Sequence, residues 1–258
     1  MRNLLSGIAL WTRSQDFRPE FFHRQDESAD ERFYSQERIV EHIDKPAIAA
    51  TVTYYRQSIL DIALGNILSG RAENTGDTKI FRILDLCSSW ISHLPTDLEK
   101  EGIALEVTGL GMNQKELDLN QVLDRRVRQN LNVNPILPFP AESFDLVLNS
   151  VSVDYLTRPL EVFPEIKRVL RPGGRSVNVF SNRFFPTKVI DFWLRSDDLS
   201  HCKLAGSYFA ATSEATSSNG SSWTDIAAYD ISPNPGQSDP LFAVQATKDV
   251  LKKRDDEL

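Results

Sequence analysis

Cysteine is scarce in this chain: two residues, Cys87 and Cys202, among 258. Cys87 sits in an apolar run, a poor place from which to bridge to Cys202. A disulfide framework is therefore excluded, and a reducing compartment fits. Histidine is nearly as rare. Of the four, His23, His42, His93 and His201, none stands at ligand spacing from another His or Cys except in the adjacent pair His201-Cys202. That argues against a zinc enzyme, and no metal ligand is assigned. No run reaches the eighteen or so apolar residues of a membrane helix, so no membrane span is expected. Met1 to Trp11, broken by Ser6 and Gly7, makes a poor signal peptide. The terminal Asp255-Asp256-Glu257-Leu258 is read as a charged tail rather than an ER-retrieval signal, which makes the cytoplasm the expected location. Positive charge is in deficit, with 29 Lys and Arg against 36 Asp and Glu and a net charge of −7. A general nucleic-acid or anionic-membrane binder would need the opposite balance. Arg125, Arg126 and Arg128 form a local cluster, read as a solvated helix end or loop. Two catalytic patterns are also missing. Without Gly-x-Gly-x-x-Gly after the first strand a dinucleotide dehydrogenase is disfavoured, and without Gly-x-Ser-x-Gly a serine hydrolase is too.

What is present is an ordinary globular composition, 41% hydrophobic and 25% charged, enough for one substantial core. Up to about Asn74 the rhythm is helical. Ile39, Ile43, Ile48, Val52 and Tyr55 recur at spacings of three to five, with Pro46 expected to divide two helices. Ser58 to Leu68 reads as a third helix, closed by Gly70, and Ala72 to Thr78 as a linker. From Lys79 short apolar runs take over: Ile80 to Leu86, Ala104 to Leu110, Phe144 to Leu148 and Ser176 to Phe180. Helical segments are expected between them, at Ser89 to Leu98, Gln114 to Leu123 and Leu160 to Leu170. This alternation predicts an α/β fold with a doubly wound, mostly parallel sheet. Lys203 to Ala210 and Leu241 to Thr247 read as a closing antiparallel strand pair, separated by a Ser/Thr-rich loop at Ala211 to Ser222.

Four segments in order carry a resemblance. Asp85-Leu86-Cys87-Ser88-Ser89-Trp90 ends the first strand. Gly109-Leu110-Gly111-Met112-Asn113 ends the second. Leu137-Pro138-Phe139 is followed by Ser143-Phe144-Asp145, and Arg168-Val169-Leu170-Arg171-Pro172-Gly173-Gly174 closes the set. Together they resemble the class I S-adenosylmethionine-dependent methyltransferases over about Lys79 to Phe180. The resemblance implies a Rossmann-like domain at 75–258, with a loop-rich insertion at 211–240 and a helical extension or lid at 1–74. It departs from the family where Cys87 and Ser89 replace loop glycines, and where Gly111 replaces the acid that would meet the cofactor ribose.

The resemblance implies S-adenosyl-L-methionine as cofactor and methyl transfer to a small-molecule acceptor. The implied cofactor residues are Asp85, Cys87, Ser88, Ser89 and Trp90 at the amino-acid end. Gly111, Met112 and Asn113 would lie beside ribose and adenine, Asn132 and Val133 across the adenine, and Asn149 at the fourth strand. Asn113 either accepts from the ribose or simply caps the following helix. Asp154 or Tyr155 is the expected proton acceptor or orienting group. The alternative is a catalytically inactive binding or assembly protein on the same fold.

Overall fold

The computed structural model describes residues 1–71, 73–75, 78–213 and 221–250. Asp255 to Leu258, most of the Ser/Thr-rich tract and part of the expected linker lie outside them.

Parallel strands β2 (Thr78–Leu86), β3 (Ile103–Gly111), β4 (Arg125–Arg128), β5 (Phe144–Ser150) and β6 (Leu170–Phe180) form the sheet with antiparallel β7 (Trp223–Asp230) and β8 (Phe242–Lys248). Their order is β4-β3-β2-β5-β6-β8-β7, and β1 (Glu73–Thr75) adds antiparallel to β2. The chain leaves β2 to one side through β3 and β4, then returns to its other side as β5. The carboxyl ends of β2 and β5 therefore flank a topological switch point, where open α/β sheets hold ligands.

Successive side chains of a strand face opposite ways, and here both faces are apolar. Phe81, Ile83, Leu146, Leu148, Val177 and Val179 pack on one face with Tyr55 and Ile59 of α2 (Lys45–Leu68). Leu84, Leu86, Val147 and Phe180 pack on the other with α4 (Pro159–Val169), α5 (Asp191–Leu194) and α6 (Asp198–Ala211). Gly173 takes φ +82° where the helix-ending Arg-Pro-Gly-Gly turns into the body of β6, a conformation open to glycine at little cost.

Several expectations are corrected. Pro46 does not divide a helix. It sits in the first turn of the continuous α2, where its missing amide costs nothing, and Asp44 caps that turn by accepting from Ala47 N. Residues 1–44 form short turns and the four-residue α1 (Asp30–Phe33) rather than a helical extension. Lys203 to Ala210 is helical, inside α6, capped by Asp197. The partner of β8 is instead Trp223–Asp230. Arg125 to Arg128 is an edge strand, not a helix end.

The largest difference lies between β2 and β3. Residues 88–97 are irregular, followed by a single 3-10 turn at Leu98–Glu101. Pro95 denies an amide to a helix there and biases Leu94 away from helical geometry. The serines bond elsewhere: Ser88 and Ser92 donate to Asp85, at 2.6 and 2.7 Å. α3 (Gln114–Leu119) is likewise shorter than expected, ending where Asn120 turns to donate to Ser89 O and Ser92 Oγ.

Candidate active site

A cavity of about 740 Å3 opens over the carboxyl ends of β2, β3 and β5. Its floor is the loop that follows β2. Asp85, the last polar residue of that strand, is buried and accepts from the Ser88 and Ser92 hydroxyls. Burial pushes its carboxyl up to about 6, against the lowering effect of the two serines. Cys87 follows at φ +55°, so the backbone turns here in the left-handed region without a glycine, at a cost of about 1 kcal/mol. Its thiol, enclosed and close to Asp85 and Asp154, is pushed up to about 12. Ser88 N donates to Leu110 O, which carries the loop across the end of β3.

That crossing explains Gly111. A Cβ there would meet the Ser88 carbonyl oxygen at 2.1 Å. The expected acid is absent because the loop backbone occupies the space its side chain would need. Glu116, one turn into α3, brings a carboxylate to the cavity wall instead, accepting from Ser89 Oγ at 2.6 Å and from Arg38 N at 2.8 Å. Sequence reasoning missed Glu116. The available signal was its place three residues after the cap Asn113, where such an acid ordinarily reaches back to the cap.

Residues 30–44 form a strap over the cavity. Asn113 caps α3 by accepting from Lys115 N and Glu116 N, and its amide donates to Tyr34 O. Trp90 Nε1 donates to Val40 O at 3.2 Å. Asp44 and Asp239 exchange bonds, each backbone N–H donating to the other's carboxylate at 2.8–2.9 Å. The strap is anchored from below by fully buried Lys188, whose Nζ donates to Ser28 O at 2.6 Å and pairs with Asp26 and Asp30.

Of the residues singled out from sequence, Asp85, Cys87, Ser88, Ser89, Trp90, Gly111, Met112, Asn113, Asn132 and Tyr155 line this one cavity. Three do not. Val133 is 67% exposed outside it, and Asn149 is buried behind Cys87, its Nδ2 at 3.8 Å from the sulfur. Asp154 is also enclosed, with Oδ1 bonded to nothing, and burial pushes its carboxyl up to about 7. Its backbone carbonyl accepts from Ile190 N, which fixes it beneath the loop that follows β6. The Tyr155 hydroxyl itself accepts from Phe185 N at 2.8 Å. Asn132 has its side chain committed, donating to Asp30 and to Tyr155 O and accepting from Thr157 N.

Residues 91–178 match the family described as a methyltransferase domain. The matched stretch is about a third of the chain and runs from the loop after β2 to the body of β6, so over that stretch the chain is similar to a methyltransferase domain. No curated protein matches the chain. Among solved structures, a putative S-adenosylmethionine-dependent methyltransferase from Listeria monocytogenes is similar at 11% identity over 80% of this chain and all of its own, with a TM-score of 0.46. The [4+2]-cyclase SpnF is similar at 18% identity over 74% of this chain and 82% of its own, with a TM-score of 0.45. A methyltransferase from Aquifex aeolicus is similar at 13% identity over 79% and 98%, with a TM-score of 0.43. Neither ligand nor reaction follows from likenesses this distant.

Proposed function

We propose that this protein transfers a methyl group from S-adenosylmethionine to a small-molecule acceptor, with both bound in the cavity over β2, β3 and β5. The observation that carries the reading is the place of that cavity. It lies at the switch point of the sheet, with the two motif-like loops after β2 and β3 forming part of its wall. Its volume falls within the roughly 300–1,000 Å3 of small-molecule sites. The wall fits an amphipathic ligand, pairing the Trp90 and Leu110 surfaces with the Glu116 carboxylate and the polar loop of Ser88 and Ser89.

On this reading Asp85, Cys87, Ser88, Ser89 and Trp90 hold the amino-acid end of the cofactor. Asp85 acts indirectly, by fixing the loop through its two serine bonds. Gly111, Met112 and Asn113 flank the ribose and adenine. Glu116 takes over the ribose contact that Gly111 cannot make, since a carboxylate has about four acceptor sites and two are filled. Asn132 shapes the adenine side. The cofactor supplies an activated methyl on a sulfonium, and transfer then depends chiefly on alignment with the acceptor. Tyr155, on the cavity wall, orients the acceptor, and Asp154, enclosed next to it in the chain, acts on Tyr155 rather than on the acceptor itself.

Calorimetry with S-adenosylhomocysteine tests the cofactor reading. Binding should appear with a dissociation constant on the order of micromolar, and Glu116→Gln should weaken it about tenfold. Absence of binding at millimolar ligand would reject the assignment and favour a non-catalytic binding protein.

A further inference from the structure

Four cations stand on the cavity wall: Arg24, Arg38, Lys45 and Arg183. Arg24 is paired with Asp30 at 2.6 Å, and Arg183 with Asp239 at 2.9 Å. Lys45 is exposed at the rim, where α2 begins. Arg38 differs from all three. It is half-buried, and its guanidinium lies 4.1 Å from the ring centre of Phe33, 5.3 Å from Phe185 and 5.7 Å from Tyr34. Nη1 donates to Phe33 O at 2.9 Å. Among the described residues no carboxylate pairs with this side chain.

Aromatic faces stabilise a cation but leave its N–H donors unused. A planar guanidinium with free donors, held against rings so that it cannot wander, matches the two oxygens of a carboxylate or phosphate. Its position also separates the two halves of the cavity. The Arg38 backbone is bound to Glu116, beside the loop assigned to the cofactor. The side chain instead reaches towards Phe185, which follows β6 and lies 6.1 Å from the Tyr155 ring. His42 meets Phe185 from another direction, ring centres 5.7 Å apart, and burial holds its imidazole below the usual range, so it adds no second positive charge.

We infer that Arg38 forms an anion subsite in the acceptor half of the cavity, and that the acceptor carries a carboxylate or phosphate beside an apolar body that packs on Phe184 and Phe185. The inference rests on the methyltransferase reading for the word acceptor; the subsite itself does not require it. The same anion chemistry has a second source, the carboxylate of the cofactor, and the test separates the two.

Benzoate and phenyl phosphate serve as probes, titrated calorimetrically into the protein saturated with S-adenosylhomocysteine. At least one should bind in the millimolar range or better. Arg38→Gln should reduce that affinity at least tenfold while changing S-adenosylhomocysteine affinity less than twofold. Arg38→Lys, which keeps the charge and loses the planar fork, should fall between. Unchanged melting temperatures in both variants would show that the strap remains docked. Failure of both probes to bind the wild-type protein would overturn the inference. So would a tenfold loss of S-adenosylhomocysteine affinity in Arg38→Gln, which would give Arg38 to the cofactor. If S-adenosylhomocysteine does not bind the wild type, the cofactor reading fails separately. The probes are then titrated into the free protein, where binding that depends on Arg38 still supports the subsite and its absence rejects it.

Discussion

An acid enclosed as Asp154 is, with one carboxylate oxygen bonded to nothing, keeps its proton to about pH 7, and burial is the main cause. Asp85 behaves alike near 6. In the unfolded chain both would ionise near 4. Between those limits the folded state binds more protons than the unfolded one, so stability falls as pH rises from about 4 to about 7 and stays reduced above that. Asp154→Asn removes one of the two contributions while preserving shape. Urea denaturation at pH 5 and pH 8 should show the wild type losing more stability than the variant across that interval, by on the order of 1 kcal/mol or more. Equal losses would mean that Asp154 titrates normally. Its local sequence, a Val-Asp-Tyr following a strand, marked the residue as functional without revealing that it would sit behind the cavity wall. That depends on how the segment after β6 packs over it, as Ile190 N donating to Asp154 O at 3.0 Å shows.

At the scale of elements, the central strands are legible in the sequence, while the edge strands β4 and β7 and some of the helices are not. Dense apolar runs identify β2, β3, β5 and β6 because strands buried on both faces favour apolar residues at successive positions. The segment after β2 carries apolar Trp90, Ile91 and Leu94, yet Pro95 and three serines keep it irregular where a helix is expected. Those serines spend their hydroxyls on Asp85 and Glu116. Within α6, Tyr208 and Phe209 favour a strand locally, but its Ala, Leu and Lys content favours the helix observed. The carboxyl end of β3 and the loop after β2 form one unit in which Gly111 is the point of contact. Gly111→Ala should therefore destabilise the protein by about 1–3 kcal/mol, the usual range for overpacking. Thermal denaturation checks this, and an unchanged melting temperature would show that the loop yields freely.

Across the whole molecule, a buried cation is one of the ties that join the strap to the body. Lys188 is fully enclosed and answers two carboxylates, Asp26 and Asp30, together with two backbone carbonyls. Removing it leaves Asp30, itself buried, with Arg24 as its remaining cationic partner. Lys188→Met should cost on the order of 3 kcal/mol, as broken buried pairs do. Limited proteolysis should then cut within residues 24–44 first, and a cleavage pattern identical to that of the wild type would contradict this role. The strap also has a consequence for biosynthesis. It is made before any strand of the sheet, yet its mutual bonds from Asp44 go to a residue 195 positions later. At about 5–20 residues per second, roughly 10–40 s pass between the ribosome adding one and adding the other. The nascent strap must therefore wait, Phe33 for its contact with Phe185 and Asp44 for its exchange with Asp239, while the sheet between them is still being made.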